Sequence, residues 1–340
     1  MKSANISGAA APNPIMVPGF VHKKGAHCAT AALSDVFRYH GLDISEPMLF
    51  GLGSGLGFIY WKSKGMHFPF VGGRAKEMEK GVCENLGIKM TVNRTESRAS
   101  AWNALRNMIE AKEPAMIYAD MFYLEYFDQF MGHFGQHCIA VAGYDDKYAY
   151  VADNNFDGLV HCSLASLAEA RASGCKFMAP ENALFKFKFP EKTKPMPAAV
   201  RDAIRKTCDE MLSPPIKNLG VKGIRIFAEK LPEWLEYKDF GYNMRLTHIY
   251  LEKDGTGGSA FRNLYTSFLM EASQYLPELK IFANGIAGIA RRWTDAANML
   301  LIAGRDMSQA KAILEGAQSK LFELTDAEQE IFTGLKGLLK

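Results

Sequence analysis

Between about residues 20 and 189 the apolar positions switch repeatedly between a helical and a strand rhythm, and beyond about 196 they keep mostly to the helical one. Ala32, Leu33, Val36 and Phe37 form an i, i+1, i+4, i+5 stripe that stops at Gly41, a C-cap residue, so the spacing predicts a helix over about 28–40. Two further helices are predicted over 75–86 and 100–111. Each is followed by a short apolar run, Ile88 to Val92 and Ala115 to Ala119, that reads as a strand. His137 to Tyr144, then Asp145-Asp146, then Lys147 to Asp153 read as a hairpin with an acidic turn. Phe185, Phe187 and Phe189 alternate with Lys186 and Lys188 as a last strand with one wet face. Amphipathic stretches follow near 198–212, 218–231, 259–275, 285–304, 307–323 and 326–338. Pro190 to Pro197 holds three prolines and three charges and suits an extended connector. The predicted architecture is α+β: a mixed domain over 1–190 and a mostly helical domain over 198–340.

Composition narrows the function classes. With 48% hydrophobic and 23% charged residues in 340, the chain can bury a large core, which excludes a disordered or disulfide-stapled protein. Forty basic against 37 acidic residues leave a net charge of +3, so no strong field draws it to nucleic acid or to an anionic membrane. No window of about 18 apolar residues occurs and the opening segment lacks a signal-peptide core, so a cytoplasmic location is expected. Six cysteines without a C-x-x-C pair argue against structural zinc and a disulfide framework. His133 and His137 stand four apart, but the glycines at 132 and 135 and the missing H-E-x-x-H carboxylate argue against a metal. The open question is which thiol reacts.

A cysteine nucleophile works as a thiolate, which a helix N-terminus and a neighbouring imidazolium favour. Cys28 follows the flexible Lys23-Lys24-Gly25-Ala26-His27 segment and opens the first predicted helix, where the helix dipole falls on its sulfur. His137 stands at the mouth of the hairpin, placed to exchange a proton with a thiol. Opposed residues of an antiparallel pair share a face, about 4.5–5.5 Å apart at Cβ. A turn centred on Asp145 sets His137 opposite Asp153, and one centred between Asp145 and Asp146 selects Asn154. Either side chain can orient the imidazole and fix its tautomer. Taken singly, each of these residues also has an ordinary structural reading: a buried thiol, a strand-end histidine, a turn cap.

The order Cys, His, Asp, with the cysteine early on a helix and its partners about 110 and 125 residues later, matches papain-like enzymes. His27-Cys28 to Leu33, Tyr39-His-Gly41, Ser45-Glu46, the glycine run from Phe50 to Tyr60, and Gly135-Gln-His-Cys138 through Asp153 resemble the N-terminal domain of the butirosin biosynthesis protein H family. The helical half, with Gly255-Thr-Gly-Gly258, Phe261 and Arg262, resembles the uncharacterised domain that follows it there. The resemblance implies a papain-like fold used for acyl transfer in specialised metabolism. Cys28 would take an acyl group from a carrier-protein phosphopantetheine thioester and pass it to a small amine. His137 would act as base and then acid, and Asp153 as orienter. The implied partners are an acyl carrier protein and the amine, with no resident cofactor and with room for a homodimer; a papain-like peptidase or amidase is the alternative. Papain-like peptidases carry a glutamine six residues before the cysteine to help hold the oxyanion. Here that residue is His22, whose imidazole could donate instead beside the Cys28 N–H.

Other residues carry weaker signals. Gly51 to Gly57 contains G-x-G-x-G but follows a helix-like segment, so the dinucleotide fingerprint fails its context. Gly53 and Gly55 would instead let substrate backbone approach a cleft, which Phe58 and Tyr60 would wall, unless both rings are ordinary core. Asp120, at a strand end, is placed to neutralise a substrate ammonium, with Tyr123 and His133 as further substrate contacts; loop polarity is the plainer reading. The glycines before Arg262 suit either a phosphate at a helix start or a loop that seats the two domains. Lys23, Lys24, Lys62 and Lys64 either meet an acidic carrier protein or are merely solvated.

Overall fold

The computed structural model describes residues 14–127, 132–175, 178–253 and 255–339. In chain order its elements are β1 (Ile15–Met16), α1 (Cys28–Tyr39), α2 (Glu46–Leu52), β2 (Leu56–Trp61), β3 (Phe70–Arg74), α3 (Met78–Leu86), β4 (Lys89–Asn93), α4 (Arg98–Glu110) and β5 (Ala115–Ala119). Then come β6 (His137–Tyr144), β7 (Tyr148–Ala152), β8 (Val160–Ser163), α5 (Leu164–Arg171) and β9 (Leu184–Lys188). The remainder is helical: α6 (Met196–Leu212), α7 (Gly220–Lys230), α8 (Phe240–Glu252), α9 (Arg262–Ala272), α10 (Leu279–Arg305) and α11 (Ala310–Leu338). The expected α+β class, with a mostly helical second half, is what the chain adopts.

The chain forms two units. The first joins the residues up to Ile44 with Lys89–Lys188. Its antiparallel sheet runs β4-β9-β5-β6-β7-β8, and β1 pairs with β6. Because strand residues alternate faces, Ile117, Ile139, Val141 and Val151 share one side, where they pack with Leu105 and Ile109 of α4 and Leu167 of α5. On the other side α1 lies against β6, and Phe37 meets Phe187 edge-on, ring centroids 5.6 Å apart. Gly143 is required where β1 crosses β6, since a Cβ there would lie 2.8 Å from Ile15 O.

The β6–β7 hairpin forms as predicted but in another register. Asp145 Oδ1 accepts from the backbone N–H groups of Lys147 and Tyr148 at 2.7 and 2.8 Å, so the turn centres on Asp146 and Lys147. The ladder also slips between Val141 and Gly143, leaving Ala140 opposite Ala152. Neither expected pairing of His137 is therefore a ladder pairing.

The second unit joins Ser45–Ile88 with Phe189–Lys340. This departs from the expected division at 190–198, because residues 45–88 pack with the helical half. The reason lies in β2. Phe58 lies 5.4 Å from Trp293 and 6.2 Å from Phe227, Tyr60 lies 6.4 Å from Trp234, and the Tyr60 N–H donates to Asn218 O at 2.9 Å. The two amphipathic stretches near 307–323 and 326–338 are one 29-residue helix, α11. Thr325 marks no break there, because its hydroxyl donates to Leu321 O at 2.8 Å and stays inside the helix. α8 has no counterpart among the expected helices. No helix among the described residues is long and apolar enough to cross a membrane.

Candidate active site

Cys28 is the first residue of α1. His27 caps the helix in extended conformation (φ −122°, ψ 127°), its side chain accepting from the Thr30 N–H. No acidic side chain occupies the first turn, so the partial positive charge of the helix end is not offset there. Cys28 is buried to 9% exposure. The other thiols are placed differently. Burial pushes Cys83, Cys162 and Cys208 up to about 12, Cys175 is also raised by burial, and Cys138 lies within β6. All six are free of disulfides.

His137 opens β6 and is almost wholly buried. Its Nε2 lies 2.6 Å from Asp153 Oδ2. Burial pulls the imidazole pKa down, but the Asp153 charge and hydrogen bond, joined by a hydrogen bond and charge interaction with Cys28, raise it to about 10. Cys28 is thus a hydrogen-bonding neighbour of His137. With Nε2 committed to the carboxylate, Nδ1 is the nitrogen left for the sulfur.

Asp153 is fully buried, and burial alone would raise its pKa. His137 and donors from Asn155 hold it below the usual carboxylate range instead. The Tyr126 hydroxyl donates to Oδ2 at 3.0 Å, and the Asn155 backbone N–H and side-chain amide donate to Oδ1 at 3.0 and 3.1 Å. Asn154 does another job. Its carbonyl accepts from the Gly25 N–H at 3.2 Å and its amide points back to Gly25 O at 3.5 Å, which ties the segment before Cys28 to the hairpin mouth. The structure selects Asp153, not Asn154, as the imidazole's partner. Tyr126 and Asn155 complete the arrangement, and the sequence holds no signal that singles out Tyr126 from Phe122, Tyr123 and Phe127 beside it.

The oxyanion reading of His22 is overturned. Its Nδ1 meets Asp35 Oδ2 at 2.5 Å, and its Nε2 faces the carbonyls of Asp153 and Phe156, both at 3.0 Å. With both nitrogens committed, none is free for an oxyanion. Burial lowers the His22 pKa, but Asp35 and the two carbonyls outweigh it and leave it raised. His22 is a bracket between α1 and the turn that carries Asp153. Asp35 also accepts from the Lys23 N–H at 3.1 Å and from Arg38 at 2.9 Å.

The proposed substrate contacts fare differently. Asp120 is fully buried and saturated, which corrects its reading as an ammonium partner. Oδ2 binds the Ser173 hydroxyl at 2.6 Å and His133 Nδ1 at 2.8 Å, and Oδ1 accepts from the N–H groups of Phe122 and Phe134 at 3.2 and 3.0 Å. His133 is half exposed. Its ring lies tilted 4.4 Å from that of Phe122, with Tyr123 at 6.0 Å. Gly53, Gly55, Phe58 and Tyr60 belong to the second unit and serve its packing. A Cβ on Gly53 would lie 2.6 Å from Met78 O and one on Gly55 2.6 Å from the Phe50 ring. Phe58 and Tyr60 are core residues rather than pocket walls.

Arg262 is equally committed, which removes the phosphate reading. Nε and Nη2 donate to the two carboxylate oxygens of Glu328 at 2.9 and 2.8 Å, and Nη1 donates to Gly57 O and Ala260 O at 3.1 and 2.7 Å. Trp293 adds its indole N–H to Glu328 at 2.6 Å, and the guanidinium lies 5.0 Å over the Trp293 ring. Asp254, beside the glycines of that loop, lies outside the described residues.

Two family profiles match the chain: butirosin biosynthesis protein H, N-terminal, over residues 27–154, and a domain of unknown function (DUF4872) over residues 165–335. Among solved structures, a crystal structure described as a C39-like peptidase from Bacillus anthracis is similar over 54% of this chain and 100% of its own, at 14% identity and a TM-score of 0.37, too slight a likeness to argue from. No curated protein matches.

Proposed function

The chain belongs to the family in which a butirosin biosynthesis protein H N-terminal domain is followed by a domain of unknown function, and from that premise we propose that it is a papain-like, cysteine-dependent acyltransferase forming amides. The observation that carries this reading is the imidazole locked at Nε2 by Asp153, 2.6 Å away, with Cys28 as its other neighbour. An imidazolium beside a sulfur at a helix start favours the thiolate form of a nucleophile.

The reaction divides into two transfers. The Cys28 thiolate attacks the carbonyl carbon of a carrier-protein thioester, and the tetrahedral oxyanion is met by the Cys28 backbone N–H at the helix start. As the C–S bond to the carrier breaks, the His137 imidazolium gives its proton to the departing phosphopantetheine thiolate, leaving an S-acyl Cys28 and a neutral imidazole. A neutral amine then attacks that acyl carbon. His137 takes the amine's proton, and collapse releases the amide with Cys28 as thiolate and His137 as imidazolium again. Asp153 holds one tautomer and one ring orientation throughout. The chain supplies these groups itself, and phosphopantetheine enters as part of the substrate.

Intact-mass measurement after incubation with acylated carrier proteins tests this. The expected result is one acyl adduct on wild-type protein, none on Cys28→Ala, and amide formation with loss of the adduct when an amine is added. Efficient hydrolysis of ordinary peptides, with no adduct from any thioester and no amide, would overturn acyl transfer in favour of a peptidase.

A further inference from the structure

His22 stands six residues before Cys28, and its ring joins the two elements that carry the reacting groups. The imidazole is 3% exposed and the Asp35 side chain 1%. On one side Nδ1 meets Oδ2 of Asp35, a residue of α1, at 2.5 Å. On the other, Nε2 meets the carbonyl oxygens of Asp153 and Phe156, each at 3.0 Å. Those two carbonyls bound the turn that carries the Asp153 carboxylate. The last ladder pair of the β6–β7 hairpin on this side is Ala140 with Ala152, so strand pairing does not fix Asp153.

The protonation of the His22 ring follows from its partners. A backbone carbonyl can only accept, so Nε2 carries a proton. An ionised carboxylate also only accepts, and the other oxygen of Asp35 is already paired with Arg38 at 2.9 Å and takes the Lys23 N–H at 3.1 Å. The proton of the Asp35 bond therefore belongs on Nδ1. Both ring nitrogens are donors, and only the imidazolium has two. Burial works against that charge, but Asp35 and the two carbonyls outweigh it and leave the pKa raised. The neighbouring charges are directed elsewhere: Arg38 lies beyond Asp35, Lys24 pairs at the surface with Asp157, and the Asp153 carboxylate faces His137.

Resting on the assignment of Cys28, His137 and Asp153 above, we propose that His22 is a buried imidazolium and the positioning residue of the Asp153 carboxylate. Tied to α1 through Asp35, it holds the Asp153–Phe156 turn by two carbonyls and so keeps Asp153 Oδ2 at 2.6 Å from His137 Nε2. Releasing the turn moves the counter-charge away from His137, which then holds its proton less firmly and favours the Cys28 thiolate less.

NMR of the full-length protein with isotope-labelled histidine nitrogens tests this without a substrate, so the outcome does not depend on whether the enzyme transfers acyl groups. At pH 7, above the ordinary imidazole pKa of about 6.5, both His22 nitrogens should carry protons; a neutral ring overturns the imidazolium. In His22→Leu, His137 should bind its proton roughly tenfold or more weakly, and Cys28 should react more slowly with iodoacetamide at neutral pH. His22→Gln should do the same, because whichever way its amide turns, its oxygen meets either the Asp35 carboxylate or the two carbonyls. His22→Gln combined with Asp35→Asn restores an unbroken chain of donors and acceptors without charge, and should return His137 to within a few-fold of wild type. A folded His22→Leu in which His137 and Cys28 behave as in wild type overturns the positioning role, as does a double variant no better than His22→Gln. Should His22→Leu fail to fold, the comparison of His22→Gln with the double variant decides the outcome.

Discussion

An ion pair is buried in each unit, His137–Asp153 in the first and Arg262–Glu328 in the second, and these two are built to different ends. In the second unit, every nitrogen of Arg262 and both oxygens of Glu328 are bonded inside the protein, and the guanidinium covers the Trp293 ring. That pair is closed, and its hydrogen bonds to Gly57 O and Ala260 O fix β2 and the turn before α9 in one place. In the first unit, Asp153 is as fully satisfied as Glu328, but its cation is not: His137 spends one nitrogen on the carboxylate and keeps the other for Cys28. A closed pair can only hold shape, whereas an imidazole with one committed nitrogen can move a proton through the other.

Breaking the open pair should cost activity first. Cys28→Ala is expected to abolish acyl transfer, and His137→Gln to lower it about 10²- to 10⁴-fold, the usual contribution of a general base. Glutamine is the informative replacement: His137 is buried against an ionised carboxylate, so alanine would strand that charge, whereas the Gln amide can still donate to it. Asp153→Asn should fall in the same range because the tautomer is no longer fixed, and Asn154→Ala should stay within a few-fold of wild type. Steady-state rates beside thermal melts check all four. If His137→Gln keeps more than about a tenth of the activity, the imidazole is not the base.

Breaking the closed pair should cost stability instead. Glu328→Ala leaves the Arg262 cation and the Trp293 N–H buried without an acceptor, which should destabilise by about 3–5 kcal/mol. Removing both partners as Arg262→Met with Glu328→Leu should recover most of that loss, since neither charge then remains to be desolvated. Urea unfolding of Arg262→Met, Glu328→Leu and the double variant measures the coupling. A double variant no more stable than Glu328→Ala would show that the pair contributes more than the hydrophobic residues replacing it.

The open pair also titrates. His137 is raised from its ordinary 6.5 to about 10 in the folded chain, so the folded state holds the proton more tightly than the unfolded one does. Its contribution to stability is fully present below about pH 6.5 and is lost as pH rises towards about 10. His22, raised by Asp35 and two carbonyls, acts in the same direction. Asp153, held low, contributes above its unfolded pKa and loses that contribution as pH falls through its folded value. Wild-type protein should therefore lose more stability between pH 7 and 9.5 than His137→Gln does, as read by urea midpoints at both values. Equal losses would mean that the imidazole is not held cationic.

The sequence showed some of this comparison and hid the rest for identifiable reasons. Cys28 and His137 were legible because each stands at a recognisable place, a helix start and a hairpin mouth. Asp153 was among the right candidates, but through a register that does not occur. β7 ends at Ala152, and a turn closed by the Phe156 N–H on Asp153 O brings the carboxylate to the ring. His22 reads as an oxyanion donor only by analogy of position, although Asp35, about two turns into α1 from Cys28, is the visible clue that the imidazole has a local acceptor. The placement of β2 was not legible, because alternation says that Phe58 and Tyr60 are buried but not in which core. Nor was the closure of Arg262, since Glu328 lies 66 residues away and neither residue stands in a pattern that names the other.

The finest distinction within the open pair concerns Tyr126. Its hydroxyl is one of four groups around the Asp153 carboxylate and shares Oδ2 with His137. Burial and the neighbouring Asp153 charge push the Tyr126 pKa well above the ordinary phenol range, so it remains a donor at any working pH. Tyr126→Phe removes that donor and keeps the ring, which packs on Phe127 and Phe156 at 4.9 and 5.5 Å. The hydrogen bond to a charged acceptor should be worth about 1.5–3 kcal/mol of stability. Its loss should cost less than about tenfold in rate, because His137 and both Asn155 donors still hold the carboxylate. The protonation equilibrium separates a positioning role from a merely structural one. A donor to Asp153 draws off part of the negative charge that His137 feels, so its removal should move the alkaline limit of the pH–rate profile upward. A profile that does not move, with the stability loss intact, would assign Tyr126 to packing alone.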